Sequence, residues 1–128
     1  MNILLDTNAL VWVGEDPKRL GKNATRLYKS AGKVYYSTFS LFELRIKQAK
    51  KKFTISDSLE SLLENAGMAE LRPSSSESKE LSRFGSLLNH DPFDRMILAQ
   101  ASANNLTLLT SDRQLLSLGF DWVLDARV

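Results

Sequence analysis

Residues 90–101, HDPFDRMILAQA, set the first constraint on what this chain can fold into. Asp91 followed by Pro92 reads as an N-cap and first helical position, because proline lacks the N–H that the first turn leaves unpaired and its φ is preset for a helix. Phe93, Met96, Ile97 and Ala101 then recur at helical spacing, and Leu98 with Ala99 widens the apolar face. A helix apolar around so much of its circumference must be largely buried, so other layers have to cover it. Asp94 and Arg95 break the apolar pattern. Asp94 has an ordinary explanation in the first turn, where unpaired N–H groups and the helix dipole favour a negative charge.

The covering layers are legible on either side. Asn2–Leu5 is a short apolar run ending at Asp6, and residues 7–13 show helical rather than alternating spacing, which reads as strand, turn, helix. A polar amphipathic helix follows over residues 20–30, stopped near Gly32. Val34 to Tyr36 is β-branched and aromatic and predicts a second strand, after which Ser37-Thr38-Phe39-Ser40 opens another helix. Phe39, Phe42, Ile46, Ala49 and Phe53 form its expected buried stripe, leaving a basic cluster of Arg45, Lys47, Lys50, Lys51 and Lys52 outside. Residues 55–66 carry a capping signal and read as a helix ended by Gly67, Met68–Leu71 as a third strand, and residues 77–88 as a helix entered through a serine loop. Residues 106–109 predict a fourth strand running into Thr110-Ser111-Asp112, and residues 122–124 a fifth, edge strand. Strands alternating with helices predict an α/β three-layer sandwich, a mainly parallel five-stranded sheet flanked by helices, folded as one domain over residues 1–128.

Composition narrows the chemistry. With no cysteine, thiolate zinc sites, iron–sulfur ligation and cysteine nucleophiles are excluded, and one histidine rules out an imidazole-rich metal site. No apolar run approaches the ~18 residues of a membrane span, and no leader pattern precedes the first strand, so the expected setting is the cytoplasm. The net charge of +2 hides an asymmetry, with 11 Lys/Arg against 4 Asp/Glu in residues 1–52 and 6 against 11 thereafter. A basic half suits a polyanionic partner, nucleic acid first, and equally suits a solvated charged face.

The candidate site is acidic. Asp6, Glu43 and Asp112 each fall just past the expected C-terminal end of a strand, where ligands bind in open parallel sheets, and Asp94 starts a helix on the same rim. Each has a local structural account. Asp6 can cap the first helix, with Thr7 able to do so instead and Asn8 free to orient the Asp6 carboxylate; Ser40 with Glu43, and Ser111 with Gln114, fit capping boxes. Together they are harder to explain, because two carboxylates about 5 Å apart at an effective dielectric of about 20 repel by about 3 kcal/mol. A cation relieves that, and oxygen ligands without His or Cys select Mg²⁺ or Mn²⁺.

LLDTNAL at 4–10, the spacing of Ser37, Ser40 and Glu43, HDPFDRMILAQA at 90–101 and LLTSD at 108–112, in that order, resemble the PIN domain across essentially the whole chain, and within it the VapC-type toxins of bacterial and archaeal toxin–antitoxin pairs. The resemblance implies a homodimeric, metal-dependent ribonuclease with Asp6, Glu43, Asp94 and Asp112 as its acids, the fourth being less uniform in such proteins. By that likeness Thr7, Asn8 and Ser111 orient ligands or water, Arg45 and the lysines 47, 50, 51 and 52 attract RNA phosphates, the substrate is structured RNA such as tRNA or ribosomal RNA, and a small antitoxin covers the site. Two alternatives stand beside it: a PIN-type nuclease for RNA maturation or DNA flaps, and a non-catalytic, Mg²⁺-binding regulatory α/β domain. The second fits less well, since Asp6 lacks the paired acid of a receiver-like phosphoacceptor and no lysine follows Lys79.

Overall fold

β1 (Asn2–Leu5) lies at the centre of a five-stranded sheet, and Ile3, Leu4 and Leu5 are fully buried, as a parallel strand covered on both faces requires. The computed structural model describes residues 1–50, 54–87 and 89–128; Lys51, Lys52, Phe53 and Leu88 lie outside that set. The other strands are β2 (Lys33–Ser37), β3 (Met68–Leu71), β4 (Thr107–Thr110) and β5 (Val123–Asp125), in the order β3-β2-β1-β4-β5, all parallel. The chain builds outward from β1 in one direction and then in the other, so the switch point falls between β1 and β4.

The helices are α1 (Thr7–Glu15), α2 (Lys22–Ser30), α3 (Thr38–Ala49), α4 (Leu59–Asn65), α5 (Ser75–Glu80), α6 (Pro92–Ala103) and α7 (Arg113–Ser117). Side chains alternate across the sheet: Ile3, Leu5 and Leu109 join a core with Leu10, Trp12, Leu44 and Leu63, while Leu4 and Leu108 join one with Phe84, Ile97, Leu98 and Leu115. This is the expected three-layer sandwich. As its apolar girth requires, α6 is largely buried, with Ile97, Leu98, Gln100 and Ala101 at 2% exposure or less. Gly67 adopts φ +85 in the turn between α4 and β3, a conformation open to glycine at little cost.

Several local expectations need correction. Phe42 and Ile46 are 57% and 44% exposed, and Ala49 is exposed too, because α3 turns Ser40 and Leu44 toward the core instead. α3 is capped by Ser37, whose hydroxyl accepts from the Phe39 N–H, so Ser40 lies inside the helix and forms no capping box with Glu43. α7 is capped by Asp112 rather than Ser111, whereas α1 is capped by Asp6 as expected, the alternative cap Thr7 lying inside the helix. The helix expected over residues 77–88 is α5 followed by a 3₁₀ segment, Leu81–Leu87, broken at Phe84.

Ser37 also donates to Gln100 Oε1 at 2.5 Å, and Gln100 Nε2 donates to the Leu71 carbonyl at 3.2 Å. This buried strut fixes the start of α3, the end of β3 and the middle of α6 relative to one another. Among the described residues, no helix is long and apolar enough to cross a membrane.

Candidate active site

β1 and β4 are paired in register from Ile3 and Thr107 to Leu5 and Leu109, so the residues that follow, Asp6 and Thr110, emerge side by side at the C-terminal edge of the sheet. The Asp6 N–H donates to the Leu109 carbonyl at 3.0 Å, which locks that edge. The Asp6 carboxylate is held at both ends: Oδ1 accepts from the Ala9 N–H at 2.8 Å, and Oδ2 from the Thr110 hydroxyl at 2.5 Å. Asp6 therefore caps α1 and faces the cleft as well.

α3 and α6 bring the second and third acids. Glu43 lies one turn into α3, where Thr7 Oγ1 donates to its Oε1 at 2.6 Å and Lys47 Nζ pairs with its Oε2 at 3.2 Å. Thr7 in turn bonds the Ser40 hydroxyl at 2.9 Å, so the spacing of Ser40 and Glu43 serves to hold the carboxylate, not to cap a helix. Asp94 sits in the first turn of α6, which is capped independently: the Asp91 side chain accepts from the Phe93 N–H. Asp94 is therefore not needed as a cap. Asp112 divides its oxygens, Oδ1 accepting from the Leu115 N–H at 3.0 Å and Oδ2 lying 2.9 Å from His90 Nε2. His90 Nε2 also lies 3.3 Å from Asp94 Oδ2.

All four acids line one cleft of about 580 Å³, together with Thr7, Asn8, Lys47, His90 and Ser111. Within it His90, Asp94 and Asp112 form the tightest group among the described residues, offering one ligand atom each within 4.8 Å of one another, while Asp6 and Glu43 stand outside that radius. Asn8 donates to the Ser111 hydroxyl at 3.3 Å and makes no hydrogen bond to Asp6, which Thr110 and Ala9 hold instead. The basic residues separate. Lys47 enters the cleft, Lys50 lines an adjoining groove of about 370 Å³ with Ile46 and Phe93, and Arg45 turns to Glu60 at 3.3 Å on α4.

Burial and the neighbouring acids together raise the proton affinity of two of these carboxylates. Burial first, then the negative charges of Asp112, Asp6, Asp91 and Glu43, push the Asp94 carboxyl up from 3.8 to about 7. Burial also raises Asp6 to about 6, with a contribution from Glu43, although the Thr110 hydroxyl and the N–H groups of Ala9 and Ser111 pull it down. A divalent cation bound here would remove the penalty that raises both groups, and carboxylate oxygens are the donors that Mg²⁺ and Mn²⁺ take. The residues present fit such an ion.

His90, which lines the cleft, and Thr110, which holds Asp6, are not among the residues the sequence marks for the site. For His90 a signal was available, since it stands four residues before Asp94 and is the only histidine in the chain.

Residues 3–121 match the family profile of the PIN domain. No curated protein matches the chain. Among solved structures, VapBC2 from Rickettsia felis, bound to a DNA fragment from its promoter, is 21% identical with a TM-score of 0.67, covering 93% of this chain and 94% of its counterpart. A toxin–antitoxin complex from Klebsiella pneumoniae is 16% identical with a TM-score of 0.66, covering 97% of each chain. VapBC-1 from nontypeable Haemophilus influenzae is 18% identical with a TM-score of 0.67, covering 91% of each. At these identities the likeness is one of fold.

Proposed function

Because this chain belongs to the PIN-domain family, we propose that it is a metal-dependent endoribonuclease, a single domain over residues 1–128, and the toxin of a toxin–antitoxin pair. The observation that carries the proposal is the delivery of Asp6, Glu43, Asp94 and Asp112 from four separate elements into one cleft. That similar folds occur in solved toxin–antitoxin complexes supports a small antitoxin as partner. The likeness to the same toxins is the ground for a homodimer acting in the cytoplasm on structured RNA such as tRNA or ribosomal RNA.

Asp6, Glu43, Asp94 and Asp112 would hold Mg²⁺ or Mn²⁺ directly or through water. When bound, the ion supplies Lewis acidity, both to a water that attacks phosphorus and to the charge that builds on the phosphate. The protein's own part is preorganisation. Thr110 and the α1 N-terminus fix Asp6, and Thr7 and Lys47 fix Glu43, so neither carboxylate has to reorient as charge develops. Asp94 holds its proton to about 7 and would give it up to solvent on binding a cation. Lys47 and Lys50 line the way in from the neighbouring groove, where cations attract the phosphate backbone without reading sequence. Asn8 and Ser111, bonded to each other at the cleft wall, would orient water or ligand.

Incubating total cellular RNA with the purified, antitoxin-free protein tests this reading without assuming a substrate. Discrete fragments that require Mn²⁺ or Mg²⁺, vanish with EDTA and vanish with Asp94→Asn are the expected result. Intact cleavage by Asp94→Asn or Asp6→Asn protein would overturn it. Growth arrest on induced expression then separates a toxin from an RNA-maturation nuclease.

A further inference from the structure

We propose that His90 is itself a ligand of the divalent cation, its Nε2 completing a mixed nitrogen–oxygen donor set with Asp94 and Asp112. The inference rests on the reading of the cleft as a cation centre and extends it to a residue of another ligand class.

The geometry is the first argument. Nε2 stands 2.9 Å from Asp112 Oδ2 and 3.3 Å from Asp94 Oδ2. Neighbouring donors around a small divalent ion with bonds near 2.1 Å stand about 3 Å apart, which both distances from Nε2 match, and the three ligand atoms all lie within 4.8 Å of one another. The second argument is how the three atoms are aimed. Asp112 spends Oδ1 on capping α7, which leaves Oδ2 turned to the cleft. His90 is tethered by its own N–H to the Leu87 carbonyl at 2.9 Å, just before the cap of α6, and its side chain is only 15% exposed. A mostly enclosed imidazole pointing one nitrogen at two carboxylates is also the arrangement of a hydrogen-bonding spacer, so the two roles must be told apart by something other than cleavage.

The chemistry differs between them. An imidazole ligand favours Mn²⁺ and later first-row ions over Mg²⁺, whereas an all-oxygen set with a histidine merely hydrogen-bonded nearby does not. Direct ligation also places ¹⁴N next to the metal.

The chain contains one histidine, so any imidazole signal in tag-free protein belongs to His90. Pulsed EPR of the Mn²⁺ complex of the full chain should show ¹⁴N modulation of the imidazole type, replaced by a ¹⁵N pattern when histidine alone is labelled with ¹⁵N. In parallel, His90→Gln should weaken Mn²⁺ binding by about 10-fold or more while changing Mg²⁺ binding several-fold less. Mn²⁺ that binds in an Asp94-dependent way without histidine ¹⁴N modulation overturns the assignment of His90 and leaves the cation centre standing. Folded protein that binds no Mn²⁺ overturns both. The labelling comparison uses the wild-type chain, so it decides the matter even if His90→Gln does not fold.

Discussion

Asp6 serves two ends with one side chain: Oδ1 terminates α1, and the carboxyl it belongs to is buried in the acidic cleft with a pKa raised to about 6. Asparagine caps helices as well as aspartate does but carries no charge. Asp6→Asn should therefore leave the ion-free protein as stable at pH 8, or more stable by about 1–3 kcal/mol, since a shift of one unit corresponds to about 1.4 kcal/mol. Urea denaturation in EDTA measures this, and loss of stability would show that the charge itself supports the fold. The same variant should abolish RNA cleavage. Asp94→Asn should follow the same pattern, because the cap of α6 is Asp91 and Asp94 is free of that duty.

At the scale of the element, α3 was the least legible part of the chain. Its sequence carries two apolar stripes at helical spacing, one through Leu41 and Leu44 and one through Phe42, Ile46 and Ala49, and nothing local says which faces the sheet. Packing chose the first. Leu44→Ala should then cost about 2–4 kcal/mol through a core cavity, whereas Phe42→Ser and Ile46→Ser should each cost under about 0.5 kcal/mol in thermal or denaturant unfolding. Caps were equally ambiguous, because Ser37, Thr38 and Ser40 all have suitable side chains and only the position of β2 selects Ser37. The strands were easier: short apolar runs such as Asn2–Leu5 and residues 106–109 lie beside polar residues, and an acid or hydroxyl stands at or just after the end of β1, β2, β4 and β5. That is why the carboxylates could be read in advance. His90 offers only its four-residue spacing to Asp94 as a signal, because its shorter contact, Asp112, lies 22 residues away and meets it only after folding.

For the whole molecule, the raised carboxyls imply a pH dependence opposite to that of salt-bridged acids. Asp6 and Asp94 bind protons more tightly folded than unfolded, so their contribution to stability is full below about pH 4 and is lost as pH rises through about 6 and 7. In EDTA the unfolding midpoint should fall between pH 5 and pH 8. Added Mn²⁺ should raise it, and by more at pH 8, where the ion no longer competes with protons. Calorimetry across that range checks both statements. A flat profile in EDTA would mean that neither burial nor the neighbouring acids raise these carboxyls in the folded protein. The sheet order adds a consequence in time. β1 precedes the other strands in the chain, yet it is completed on one side only when β4 arrives, and Asp112 follows two residues after that strand. A nascent chain emerging from the ribosome, in surroundings dense with RNA, thus carries Asp6, Glu43 and Asp94 with no place to assemble them. The cleft of the nuclease proposed here would stay incomplete until β4 has docked and Asp112 has followed it, the moment from which an inhibitor would be needed.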